Sequence, residues 1–91
     1  MKYTIHVSYD LGCHYDPEKG SDDLMELQTE GARLDGEMLR WYIENDAGKI
    51  VDVGKIHKNT LASMARMSAG GQKNVSLVTN DPIFQRLDSQ R

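Results

Sequence analysis

Residues 38–57 read Met38-Leu39-Arg40-Trp41-Tyr42-Ile43-Glu44-Asn45-Asp46-Ala47-Gly48-Lys49-Ile50-Val51-Asp52-Val53-Gly54-Lys55-Ile56-His57, and this stretch decides the fold. Asp46-Ala47-Gly48 suits a three-residue hairpin loop, a type I turn closed by a residue with φ > 0, where glycine carries no steric cost. With Asn45 facing Lys49, Ile43 falls opposite Val51, Trp41 opposite Val53 and Leu39 opposite Lys55. The other face pairs Glu44 with Ile50, Tyr42 with Asp52, Arg40 with Gly54 and Met38 with Ile56. One face is then aliphatic and aromatic and the other mixed, and a slip of one residue would mix the two sets.

Working outward, Tyr3, Ile5, Val7 and Tyr9 alternate strictly with Thr4, His6, Ser8 and Asp10, which predicts a strand over residues 2–10 that pairs with the hairpin. Residues 11–21 hold Gly12, Asp16-Pro17 and Gly20 and read as a long loop, a kind of segment that is usually functional or mobile. Residues 22–36 admit two main readings. As a strand, Met25, Leu27 and Thr29 alternate and Asp35-Gly36 turns into Met38. As a helix, Asp23 and Glu26 match a capping box, and Leu24, Leu27, Gly31 and Leu34 share one face, although Gly31 costs a helix about 1 kcal/mol. A helix running on through Met38 and Trp41 would sacrifice the hairpin. The helical reading, ending near Arg33, agrees with more of the residues.

Beyond His57, Asn59 is the expected cap of a short helix with Leu61, Met64, Ala65 and Ser68 inward and Gly70-Gly71 as its stop. A strand follows over 74–79, with Val75 and Leu77 on one side and Ser76 and Val78 on the other. Asp81-Pro82 then starts a terminal helix carrying Ile83, Phe84 and Leu87. The result is one α+β domain over residues 1–91, in a ferredoxin-like β-α-β-β-α-β order plus a short C-terminal helix, with helices on one face of an antiparallel sheet.

The totals narrow the function. A chain of 91 residues buries roughly two-thirds of its unfolded surface, enough for one modest core. A net charge of −3 argues against broad nucleic-acid binding, which runs on excess Lys and Arg. The sequence contains one cysteine, which cannot form an internal disulfide, so the cytoplasm is the expected compartment. No long apolar run suggests a leader or membrane span.

Asp10, Cys13, His14 and Asp16 form the sharpest chemical cluster. Asp10, His14 and Asp16 could ligate a divalent cation and support a metal-dependent phosphodiesterase or nuclease, but their spacing matches no metal motif and no cofactor is expected. Val7-Ser8-Tyr9-Asp10 resembles the aspartate-ended first strand of the small CRISPR ribonucleases of ferredoxin-like fold. The likeness covers four residues, and the loop after Asp10 departs from that pattern. Cys13 and His14 are sequence neighbours pointing to opposite sides, a poor arrangement for thiol catalysis. Gly70-Gly71-Gln72-Lys73 lacks the Gly-Lys-Ser/Thr ending of a phosphate loop. For RNA, the open sheet face offers one aromatic, Tyr42, without the accompanying motif.

The remaining expectation is a protein-binding module rather than an enzyme. Its surface is Arg40, Tyr42, Glu44 and Asp52, extended by the loop at His14, Tyr15 and Asp16. Small size and acidic character are shared with phage and mobile-element inhibitors such as anti-CRISPR proteins, among many others. The bland reading of the same face has it covered by residues 82–90 or by a second copy of the chain in a homodimer.

Overall fold

The structure is a computed structural model and describes residues 2–69 and 82–89. Its elements are β1 (Tyr3–Ser8), β2 (Asp16–Ser21), α1 (Leu24–Gly36), β3 (Arg40–Asn45), β4 (Ile50–Val53), α2 (Lys55–Ala69) and α3 (Pro82–Ser89). The four strands form one antiparallel sheet in the order β2-β1-β3-β4. The expected strand over 74–79, the Gly70-Gly71 stop and the Asp81 cap lie outside the described residues. So do the side chains of Met64, Ala65, Ser68 and Phe84.

The α+β class and the antiparallel sheet are as the sequence implied, and the element order agrees in part, with one strand added after β1. Residues 16–21, read as loop, are β2. They pair with β1 from Tyr3 opposite Ser21 to Val7 opposite Asp16, with a bulge between Ile5 and His6. β1 therefore has β2 on one side and β3 on the other, whereas the ferredoxin-like order would set the last strand beside it. The order over the described residues is β-β-α-β-β-α followed by α3.

The hairpin turn forms as expected. Asn45 N–H donates to Lys49 O at 2.8 Å, Gly48 N–H to Asn45 O at 3.0 Å, and Gly48 takes φ 81°. Asn45 Oδ1 also accepts from the backbone of Ala47 and Lys49. Beyond Glu44 opposite Ile50 the expected register fails: a bulge puts Ile43 opposite Asp52 and Tyr42 opposite Val53. Trp41 is the reason. Its carbonyl receives Gly54 N–H at 2.9 Å, and a Cβ on residue 54 would meet the indole Nε1 at 2.8 Å. Only glycine fits there, so Val51 is extruded to the surface and Val53 moves to the face that carries Tyr42.

Helix α1 begins at the Asp23 cap, whose side chain accepts from Met25 N–H, and runs three residues past Arg33. It buries Leu27, Gly31 and Leu34 against Ile5, Val7, Trp41 and Ile43, with Tyr3, Leu24 and Leu39 packed around them. Helix α2 starts four residues before Asn59, the expected cap. Gly54 O accepts its first bond from Lys58 N–H, and Asp35 Oδ1, reaching over from α1, accepts Lys55 N–H at 2.9 Å and Trp41 Nε1–H at 3.0 Å. Ile56 and His57 are therefore helical instead of extending β4. A second core cluster of Tyr42, Ile50, Val53 and Ile83 lies on the opposite face, with Tyr15 and Leu87 against it. Helices thus cover both faces of the sheet, not one.

Candidate functional site

The surface expected from the sequence divides into three places. Tyr42, Glu44 and Tyr15 lie under α3. Tyr42 is 6% exposed, so the covered-face reading holds for it. Its ring stacks on His6 and meets Tyr15 edge-on, with centroids 4.6 and 5.2 Å away. The Tyr15 hydroxyl lies 2.9 Å from Nε2 of the buried His57. Arg86 of α3 donates to the Tyr42 hydroxyl at 3.2 Å and to Glu44 Oε2 at 2.5 Å. Burial raises the Tyr42 phenol above its ordinary value. Asp52 lies apart from this group, where it accepts from Gln28 Nε2 at 3.0 Å and pairs with Lys58 at 3.3 Å.

Arg40, Asp10 and His14 come together at one end of the sheet, where Ser8 and Arg40 are the last paired residues of β1 and β3. Ser8 Oγ accepts Gly12 N–H at 2.8 Å and donates to Asp10 Oδ1 at 2.8 Å. Asp10 in turn accepts His14 N–H on Oδ1 and His14 Nδ1–H on Oδ2, each at 2.8 Å. Those two bonds from His14, then the Ser8 hydroxyl, hold the Asp10 carboxyl down to about 2. Asp10 is thus spent on closing its own loop. Asp16 enters β2 opposite Val7, and no group of three or more His, Cys, Asp or Glu side chains able to hold a metal ion occurs among the described residues.

The residues that the sequence does not mark are displayed by this loop and by the turn after α1. Leu11 is 84% exposed at φ 61°, and its carbonyl is held by Arg40 Nη1–H. Met38 is 79% exposed at φ 59°. These are the two non-glycine residues with positive φ among the described residues. Met38 occupies the left-handed position after α1: Leu39 N–H bonds to Leu34 O and Met38 N–H to Asp35 O, both at 3.0 Å. This is a Schellman motif, in which glycine is the usual occupant of Met38's place, and Leu39 packs against the core cluster that contains Leu34. Tyr9, 62% exposed, completes the group at the end of β1 and donates to Glu18 Oε2 at 3.2 Å. For Leu11 the hint in the sequence is an apolar residue set between the turn formers Asp10 and Gly12; Met38, followed directly by Leu39, carries no such hint.

No protein-family model, curated protein or solved structure matches this chain. No described helix is long and apolar enough to cross a membrane.

Proposed function

We propose that this chain is a protein-binding module, of the accessory or inhibitor kind, which engages its partner through the end of the sheet that carries Tyr9, Leu11, Met38 and Arg40. The observation behind this reading is the paired strain at Leu11 and Met38. A large L-residue in the left-handed region costs roughly 1–2 kcal/mol, and glycine or asparagine would remove most of that cost. Here two such residues stand at one end of the molecule and hold apolar side chains in water. Backbone strain of this sort concentrates at functional sites. Tyr, Met and Arg are residue types enriched in protein interfaces.

The loop is also preorganised. Ser8, Asp10, His14 and Arg40 fix its backbone, so little ordering entropy remains to be lost on binding. The proposed surface is therefore the rim of the sheet near Arg40, with His14 beside it, instead of the face under α3.

The test is capture of a partner from the native host by Leu11→Ser and Met38→Ser, against Met25→Ser as control. Met25 is an equally exposed methionine at the opposite end of α1. Loss of capture in the first two variants with retention in the third is expected. Equal capture by all three contradicts the assignment.

A further inference from the structure

The second face of the sheet holds a cluster that the proposed binding surface does not use. His6 and Tyr42 are neighbours across β1 and β3, and their rings stack with planes 8° from parallel. The Arg86 guanidinium lies over the same Tyr42 ring, 5.2 Å from its centroid. Arg86 is further tied to Glu44 Oε2 and to Gly48 O, at 2.5 and 3.1 Å. His6 Nε2 lies 3.7 Å from the other Glu44 oxygen, too far for a hydrogen bond, and is closed off from solvent with no hydrogen-bond partner. One carboxylate and one aromatic ring are therefore addressed from two directions, by a permanent cation on α3 and by an imidazole on β1.

We propose that His6 is an acid-operated release for α3: as an imidazolium it draws Glu44 and the Tyr42 ring away from Arg86, and α3 leaves the second face of the sheet.

The groups that face His6 are Tyr42 and Glu44 from β3 and Arg86 from α3. Tyr15, the residue before β2, packs on the far partner of the stack, and His57 of α2 is bonded to Tyr15. Burial is the largest influence and holds His6 below its ordinary value; Glu44 works against this and Arg86 with it. With α3 docked, His6 is therefore the weaker base. Undocking admits water and removes Arg86, which restores basicity. Protonation then favours the undocked form by up to about tenfold per pH unit, beginning near the ordinary histidine value of about 6.5 and ending at the lower docked value.

Nuclear magnetic resonance on the full chain tests this. From pH 7.5 to 4.5 the His6 ring signal is followed together with the Overhauser contacts from Ile83 to the Tyr42, Ile50 and Val53 cluster. The Ile83 contacts should fade with the His6 titration while Trp41 and the β1–β3 amides stay native. His6→Phe keeps a ring on Tyr42 but cannot titrate, and should hold α3 docked throughout. Arg86→Gln removes the opposing cation and should raise the His6 midpoint. Ile83 contacts that survive full titration of His6 would overturn the proposal. So would loss of the whole sheet together with α3, or an unmoved His6 midpoint in Arg86→Gln.

Discussion

Gly31 is the residue that argued most directly against a helix at 22–36, and replacing it with alanine separates two opposing effects. In an exposed helix the change gains about 1 kcal/mol of propensity. In this helix the new Cβ would meet Trp41 Cζ2 at 2.3 Å, and Cε2 and Cη2 at 2.6 Å. Ordinary carbon contacts are roughly 3.5–4 Å, so the overlap exceeds an ångström. The indole has nowhere to retreat. Gly54 closes against its other edge, and Nε1 is tied to Asp35 at 3.0 Å. Overpacking of this kind costs roughly 1–3 kcal/mol, occasionally more, and overlap with three ring atoms belongs at the upper end. Gly31→Ala should therefore lose about 2 kcal/mol net, equivalent to roughly 10 °C in Tm for a domain this small. Urea unfolding followed by Trp41 fluorescence measures the loss. In a Trp41→Phe background, followed by circular dichroism, the shorter ring frees the space and the penalty should vanish or reverse. A Gly31→Ala variant as stable as the parent, or an equal penalty in both backgrounds, would refute the packing argument.

Two further perturbations follow from the same geometry. Asp35→Ala strips an acceptor from both Trp41 Nε1 and the first N–H of α2, whose first turn has no acidic residue of its own. It should cost about 2 kcal/mol in chemical denaturation, with Asp35→Asn recovering roughly half. For Asp10 the folded carboxyl titrates at about 2, below its unfolded value, so its contribution is complete above the ordinary carboxylate range and is lost as pH falls through it towards about 2. Thermal melts between pH 5 and 2.5 should accordingly fall less steeply for Asp10→Asn than for the parent; parallel curves would contradict the loop bonding.

What could be read in the sequence was what neighbouring residues decide. The turn at Asn45–Lys49 and the alternation of β1 follow from local chemistry, as does the apolar face of α1. The parts that escaped depend on distant partners. β2 is Asp16-Pro17-Glu18-Lys19-Gly20-Ser21, a strand with no apolar period at all, held by backbone pairing to β1. Proline and charge suit it to a sheet edge and hide it from any hydrophobic pattern. The bulge in β4 is set by the lack of room between Trp41 and residue 54, and the start of α2 by an aspartate twenty residues upstream. The proposed binding surface was half legible. Arg40 and His14 stand out by residue type, whereas Leu11 and Met38 do not, because a left-handed backbone at a non-glycine residue leaves no mark in residue type. The alternation of β3 puts Tyr42 and Glu44 on a face that the sequence leaves uncovered or under residues 82–90, and α3 covers it.

Met38→Gly tests the binding surface most directly, because strain and display pull its two readouts in opposite directions. Glycine at the left-handed position of the Schellman motif should raise stability by about 1 kcal/mol, near 5 °C in Tm. Removal of the exposed methionine should weaken partner capture at least tenfold, a loss of about 1.4 kcal/mol in binding. A variant that is more stable and binds less is the result expected of a backbone strained to present a side chain. A variant that is more stable and captures the partner as well as the parent would show that Met38 is strained for some other reason, and the proposed surface would fall with it.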